Sequence, residues 1–128
     1  MTDAAYPDDL LYHPGHGWVR VEGDLAVIGI TWFAQDALGE VVFFDPPPVG
    51  AQLEPGVPYA QLESVKATSD VIAPVRGELV EVNGALESDP GPVNDDPYGS
   101  GWLARVRLAG PEGTSGLLDG AAYQAGLG

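Results

Sequence analysis

Short runs of alternating hydrophobic and polar residues, separated by turn residues, predict strands along most of this chain. Residues 18–22 alternate, Gly23-Asp24 is a turn signal, and residues 25–30 are almost entirely apolar. Because strand side chains point to opposite faces in turn, an alternating run indicates a half-buried strand and an apolar run a more buried one. We predict a β-hairpin over residues 18–30.

A helical pattern follows this hairpin. Thr31 can accept a hydrogen bond from the first turn of a helix over residues 32–38, and Gly39 suits the C-terminal end of that helix. Helical spacing brings four apolar residues onto one face, namely Phe33, Ala34, Ala37 and Leu38. We predict a short amphipathic helix.

The rest of the chain continues the pattern of short strands and breaks. Further strands are predicted at residues 40–44, 78–82 and 102–108. Pro46, Pro47 and Pro48 predict a stiff connector, because proline lacks the N–H that a strand ladder needs. Turns are predicted at residues 53–56, 76–77 and 83–84, the last from an Asn-Gly pair. Residues 86–101 are predicted to be irregular, residues 110–116 a loop, and residues 121–125 a helix capped by Asp119 and ended by Gly126.

Lys66 lies between two predicted strands, residues 58–65 and 67–75. If residues 65 and 66 form the loop of a hairpin, the strands take a register that pairs Leu62 with Ser69 and Ala60 with Val71. One face is then apolar, with Ala60, Leu62, Val71 and Ala73. The other is mostly polar, with Tyr59, Gln61, Glu63, Thr68 and Asp70, and with Ile72 as its exception. The hairpin places Lys66 at its tip, with the amine in water.

Many short strands joined by Gly- and Pro-containing turns are typical of a β-sandwich or barrel. The chain has 18 glycines and 12 prolines, yet 45% of its residues are hydrophobic, which argues against disorder. A length of 128 residues fits a single domain over 1–128. We describe about residues 1–12 as an N-terminal extension, and about residues 112–126 as a C-terminal loop and short helix.

Charge and cysteine content exclude several classes of function. A net charge of −14 argues against nucleic-acid and anionic-membrane partners, and favours partners with basic docking faces. The absence of cysteine excludes disulfides, thiolate metal sites and any protein thiol that could exchange with a bound dithiol. No hydrophobic run approaches membrane-spanning length. Residues 1–5 lack the features of a secretory signal, and we expect a bacterial cytoplasmic protein.

Lys66 is the only lysine of the chain, beside four arginines and 19 carboxylates. A lysine amine can be acylated, whereas a guanidinium stays protonated and does not accept an acyl group under ordinary conditions. Compositional drift from lysine to arginine is the alternative explanation, but four arginines are few for it. The count alone leaves both explanations open, and the residues around Lys66 favour a site of covalent modification.

A Schiff-base enzyme is a second explanation for an isolated lysine. Such a lysine needs a lowered pKa, obtained from burial or a neighbouring cation. Glu63 and Asp70 are close to Lys66 in sequence, and carboxylates hold an amine protonated. The predicted hairpin tip is also exposed, so the sequence disfavours this chemistry.

Other candidate sites have simpler structural explanations. His13 and His16 could bind zinc only with carboxylates as the remaining ligands, and a turn with a packed imidazole explains the pair better. Asn94, Asp95 and Asp96, with Asp89, do not follow the calcium-loop spacing, and a solvated turn is the better interpretation. The Gly-Ser-Gly of residues 99–101 and the Gly-Thr-Ser-Gly of residues 113–116 are not nucleotide or nucleophile motifs, and loops explain them.

Several collinear segments resemble the glycine cleavage system H proteins. The segment Glu63-Ser64-Val65-Lys66-Ala67, continued to residue 71, looks like the lipoyl-attachment segment of that family. Similar segments are residues 29–31, 34–42, 74–78, 81–83, 93–103 and 117–119 with Tyr123. The similarity spans residues 13–123. Biotin carriers have methionine on both sides of their lysine, and lipoyl domains of 2-oxoacid dehydrogenases usually have aspartate before it. Both classes remain alternatives.

The resemblance implies a mainly β fold, the lipoyl/biotinyl-type sandwich of two small antiparallel sheets (a barrel-sandwich hybrid) with short peripheral helices. It implies a monomeric carrier rather than an enzyme. A lipoate-attaching enzyme would form an amide on Lys66, which would then carry an aminomethyl group from pyridoxal-phosphate-dependent glycine decarboxylase to a tetrahydrofolate-dependent aminomethyltransferase. Dihydrolipoamide dehydrogenase would reoxidise the dithiol. The implied recognition surroundings are Glu63, Ser64, Val65, Ala67 and Asp70.

The chain departs from the family at one position. The family usually has His-Glu-Trp near the N-terminus, where this chain has His16-Gly17-Trp18. The family's glutamate is thought to help hold the loaded, cationic amine against the protein surface, and Gly17 has no side chain to do so. Asp70, Glu22 or another nearby acid is expected to take over this role.

Overall fold

The structure, a computed structural model, describes residues 6–114 and 116–127. Within these ranges the strands are β1 (Leu11–His13), β2 (Gly17–Glu22), β3 (Leu25–Ile30), β4 (Val41–Asp45), β5 (Gln52–Leu53), β6 (Pro58–Ser64), β7 (Thr68–Ile72), β8 (Gly77–Val82) and β9 (Ala104–Leu108). The helices are α1 (Trp32–Leu38), α2 (Ala85–Ser88), α3 (Pro92–Asp95) and α4 (Gly120–Leu127), with a short 3-10 helix at Pro111–Thr114. None of the described helices is long and apolar enough to span a membrane.

The strands form two antiparallel sheets. The larger sheet has the order β1-β2-β3-β9-β8-β5, and the smaller sheet has the order β4-β6-β7. Apolar residues at the end of β3 pack with the inner face of the smaller sheet and with α2 and α3, in a cluster that includes Ile30, Phe44, Leu62, Val71, Leu86 and Val93. The predicted sandwich of two small antiparallel sheets with short helices is therefore confirmed.

The longest patterns in the sequence predicted their elements well. β2 and β3 pair from Gly17 with Ile30 to Glu22 with Leu25, as the predicted hairpin requires. Helix α1 has the predicted bounds, and the Thr31 hydroxyl accepts a hydrogen bond from Ala34 N at 3.3 Å. The Asp119 carboxylate likewise caps α4 through Ala122 N, although α4 extends to Leu127 rather than ending before Gly126.

Several local predictions were wrong. Asn83-Gly84 does not form a hairpin turn, because the Asn83 side chain donates to the carbonyl oxygens of Ser100 and Trp102 and the chain enters α2. Residues 86–101 include helical turns rather than being irregular throughout. The strand after Lys66 ends at Ile72, not at residue 75.

Two strands had no predicted counterpart. β1 pairs with β2 and buries Tyr12 completely, so residues assigned to the N-terminal extension belong to the larger sheet. β5 has two residues, Gln52 and Leu53, and pairs with β8. The assignment of residues 1–128 to a single domain that ends in a C-terminal loop and short helix stays a prediction.

Candidate functional site

The hairpin of β6 and β7 places Lys66 at its tip. Leu62 pairs with Ser69 and Ala60 with Val71, which confirms the predicted register near the tip, and the register shifts by one residue between Pro58 and Ala60. The inward face, formed by Ala60, Leu62, Val71 and Ala73, is buried. Because this face anchors both strands to the core, the tip that they hold projects from a fixed base. The Lys66 residue itself is exposed.

Ser64 stabilises the tip from within. Its backbone N–H donates to Ala67 O at 2.7 Å, and its hydroxyl oxygen accepts from Lys66 N at 3.2 Å and from Ala67 N at 3.1 Å. A serine hydroxyl that binds nearby backbone groups is a recognised way of fixing a tight turn. Ser64 is 9% exposed, so the group that holds the loop lies beneath the lysine.

A second set of contacts joins the tip to the connection between α1 and β4. Val65 N donates to Glu40 O at 3.0 Å. The residues on either side of Glu40 are held by Asn94 of α3, whose side chain accepts from Val41 N at 2.9 Å and donates to Gly39 O at 2.8 Å. The same amide donates to the Gln35 side chain at 3.0 Å. Asn94 therefore supports the lysine hairpin through the backbone of residues 39–41.

The Lys66 side chain lies over Gly39. A Cβ atom at residue 39 would be 3.4 Å from Cε of Lys66 and 3.9 Å from its Nζ. Gly39 has φ +83° and ψ −161°, a conformation that is essentially restricted to glycine. The residue that ends α1 thus also leaves space for the lysine stem.

A groove of about 570 Å³ begins at Lys66 and runs along α1 and β7. The predicted apolar face of α1 forms one wall, with Phe33, Ala34, Ala37 and Leu38. Phe33 and Ala37 are exposed, so this face lines the groove instead of packing wholly into the core. Along the opposite wall, the described lining residues include Asp70 of β7, whose Oδ1 accepts from the Gln61 side chain at 3.1 Å.

Of the predicted recognition residues, Glu63 and Asp70 both belong to the outward face of the hairpin, and Asp70 also borders the groove. Asp70 lines the groove together with Ala67. Glu63 pairs with Thr68 on the outward face of the hairpin, where it is exposed. All three ion pairs found within the described residues join an arginine to a glutamate, and none involves Lys66.

His13 and His16 hold the turn between β1 and β2. His13 Nδ1 accepts from Gly15 N at 2.8 Å, and His16 Nδ1 lies 2.7 Å from the hydroxyl of Tyr123. His16 also packs against Phe33 at the groove, with 4.7 Å between ring centroids. Burial lowers the pKa of both imidazoles, and the charge of His16 further lowers the pKa of His13. These contacts account for the pair, and no group of three or more metal-ligating side chains occurs in residues 6–114 and 116–127.

The acidic segment before β9 is also structural. The Asp96 carboxylate accepts from the backbone N–H and hydroxyl of Ser100, and Asp89 accepts from Gly91 N. Asn94 is committed to the three contacts described above. The solvated turn predicted for this segment is therefore wrong for Asn94, whose side chain is held by protein groups instead of water.

Comparison with known proteins gives the family. The family model for the glycine cleavage H-protein matches residues 10–127. The chain belongs to this family. The glycine cleavage system H protein of Symbiobacterium thermophilum is 49% identical over 122 residues, which cover 95% of each chain. That of Rubrobacter xylanophilus is 54% identical over 106 residues, covering 83% of this chain and 84% of the relative.

A solved structure agrees with these relatives. The crystal structure of a glycine cleavage system H protein from Mycobacterium marinum has 37% sequence identity and a TM-score of 0.86, and the match covers 94% of this chain and 98% of that one.

Gly17, where this chain departs from the family's usual glutamate, lies in β2 opposite Ile30. A Cβ atom at residue 17 would be 3.3 Å from the Pro74 ring. Glu22, one of the acids expected to replace that glutamate, is at the other end of β2, about 17 Å along the strand, and it pairs with Arg20. Asp70 is the acid that lies in the groove.

Proposed function

We propose that this protein is the lipoyl carrier of a glycine cleavage system, with lipoate attached by an amide to Lys66. The observation that supports this most directly is a lone, exposed lysine at the tip of a hairpin that is fixed from below. Membership of the H-protein family supports lipoate as the cofactor and glycine cleavage as the system. The relatives compared above are bacterial, and we place the carrier in the cytoplasm.

The residues around Lys66 fit a lipoyl group. When the amide forms, Nζ of the unprotonated amine bonds to the lipoyl carbonyl carbon, the activating group leaves with its bonding electrons, and the nitrogen loses a proton. The bound group supplies a reversible dithiol–disulfide couple that can carry an aminomethyl unit. The protein supplies an anchored base, a flexible stem and an apolar groove beside them, and Asp70 provides a negative charge at the edge of that groove.

This role needs no catalytic group in the protein itself. We propose that the partners are a lipoate-attaching enzyme, glycine decarboxylase, aminomethyltransferase and dihydrolipoamide dehydrogenase, each of which accepts the carrier as a substrate. Tethering the group to one protein raises its local concentration at each docked active site. Because the chain has no cysteine, none of its own thiols can trap the group as a mixed disulfide.

Replacement of the lysine tests the proposal. Lys66→Arg keeps a long cationic side chain but removes the acylable amine, so it should fold normally and gain no lipoyl mass after incubation with lipoate, ATP and a lipoate–protein ligase. Intact and peptide mass spectrometry of wild type and variant provides the measurement. A lipoyl adduct on the variant, or none on the wild type under conditions that modify another H protein, would contradict the proposal.

Two further outcomes distinguish the alternatives. A biotin adduct on Lys66 after incubation with biotin and its ligase would indicate a biotin carrier. A substrate carbonyl fixed to the unmodified lysine by borohydride would indicate a Schiff-base enzyme.

Lys66→Ala should change the free energy of unfolding by no more than about 0.5 kcal/mol, as expected for an exposed side chain.

A further inference from the structure

Three exposed apolar side chains form a surface beside the lysine, on the opposite side of the hairpin from its inward face. We call the group of Val42, Phe43 and Val65 the apolar patch. Val65 is 68% exposed, Val42 48% and Phe43 45%. Phe43 pairs with Glu63 across β4 and β6, and Val65 N binds Glu40 O, so the three residues lie next to the hairpin tip.

A β-bulge exposes two neighbouring residues of the patch. Val41 pairs with Ser64 and Phe43 pairs with Glu63, so β4 has one residue more than β6 between these pairs, and that residue is Val42. In a regular strand, Val42 and Phe43 would point to opposite faces. The bulge interrupts this alternation and leaves both exposed, while Val41 and Phe44 stay buried. Bulges often redirect side chains next to functional sites.

Carboxylates surround the patch. Glu40, Glu63, Asp45 and Asp70 are exposed on or beside the smaller sheet. The four arginines lie elsewhere, in or beside strands of the larger sheet: Arg20, Arg76, Arg105 and Arg107. Among the described residues, Lys66 is therefore the one lysine or arginine side chain on this surface. A partner with an apolar centre and a basic rim would match it.

The reach of the lysine identifies which partner must contact the patch. An unmodified lysine extends only about 6 Å from Cα to Nζ, so an enzyme that acylates Nζ has to close around the hairpin tip. Enzymes that act on the attached group meet an arm roughly twice as long or more and can dock farther away. We propose that the apolar patch is the docking surface for the lipoate-attaching enzyme, which buries Phe43, Val42 and Val65 and places basic residues against Glu40 and Glu63. This inference rests on the proposed function of Lys66.

The kinetics of lipoylation test the proposal. Phe43→Ser should lower kcat/KM for lipoylation of the intact protein by about tenfold, mainly through a higher KM, because a central aromatic contact contributes most to an interface. Val42→Ser should act in the same direction to a smaller extent. Raising the ionic strength should lower kcat/KM for the wild type, because it screens the acidic rim from a basic partner.

Val57→Ser is the matched control. Val57 is 51% exposed, but it precedes β6 at the end farthest from Lys66, about 23 Å along the strand from Ser64. The kcat/KM for lipoylation of Val57→Ser should stay within about twofold of wild type, as expected outside an interface. Thermal unfolding of all variants separates a docking defect from a folding defect.

A second assay tests the choice of partner. Protein lipoylated to completion, as wild type and as Phe43→Ser, is given to dihydrolipoamide dehydrogenase with NADH. Equal rates support docking by the attaching enzyme alone, whereas an equal loss in both assays would overturn that choice. Unchanged lipoylation of folded Phe43→Ser would show that the apolar patch is not the docking surface, and it would leave the proposed carrier function intact. Failure of the wild type to be lipoylated would instead count against the function.

Discussion

At the scale of single residues, the amide of Asn94 links parts of the site that are far apart in sequence. It binds Gln35, Gly39 and Val41, more than fifty positions away, and these contacts fix the backbone to which the lysine loop is tied. Lys66 can be selected from the sequence because its rarity is visible in a count. The role of Asn94 cannot, because it exists only after α1 and α3 have packed together.

We expect Asn94→Ala to lower the free energy of unfolding by about 2–3 kcal/mol, since three part-buried groups lose their partner. Chemical denaturation measures this loss. Asp95→Ala, a change at the exposed neighbour, should stay within about 0.5 kcal/mol of wild type. Equal stabilities for the two variants would show that Asn94 does not hold the junction.

At the scale of elements, pattern length separates the correct predictions from the missed ones. The six-residue strands β2 and β3 and the seven-residue helix α1 each contain enough residues to show a period. β1 and β5, with three and two residues, contain too few. The groove was likewise hidden, because an apolar helical face looks the same in sequence whether it lines a groove or packs in a core.

The turn between β1 and β2 gives an element-scale prediction. Burial lowers the pKa of His16 and of His13 in the folded state, so the unfolded chain binds more protons as pH falls below about 6.5. The contribution of the two neutral imidazoles to the free energy of unfolding is therefore fully present above that pH. It decreases as pH falls through that value, and it levels off below the folded-state pKa values.

Because His16 has φ +74°, His16→Asn is the suitable variant, since asparagine tolerates this region. Between about pH 7.5 and pH 5.5, the wild type should lose more free energy of unfolding than the variant. The carboxylates respond alike in both proteins, so the difference reports the His16 imidazole together with its effect on the pKa of His13. An identical pH dependence would show that His16 titrates as it does in the unfolded chain.

At the scale of the whole molecule, charge is abundant and uneven. A net charge of −14 on 13.3 kDa causes self-repulsion, and the described ion pairs, which are all exposed or partly exposed, offset little of it. The fold tolerates this charge because its apolar clusters, including Trp18, Tyr12 and Leu79, are fully buried.

Added salt should therefore stabilise the protein. Raising NaCl from about 10 mM to about 200 mM shortens the Debye length from about 30 Å to below 8 Å, and we expect Tm to rise. A variant with Glu87→Gln and Asp95→Asn, two exposed acids, should show a smaller rise. A Tm that falls or stays constant with salt would indicate that repulsion does not limit stability.

The solitary lysine also makes the modification state of this protein unusually simple to read. Trypsin cuts after lysine and arginine, so the unmodified chain yields separate peptides of residues 21–66 and 67–76. An acylated Lys66 is no longer a cleavage site, and the two peptides remain joined as residues 21–76. Apart from the terminal amine, an amine-directed dye would label the same nitrogen, so one fluorophore at the hairpin tip would report both occupancy and docking.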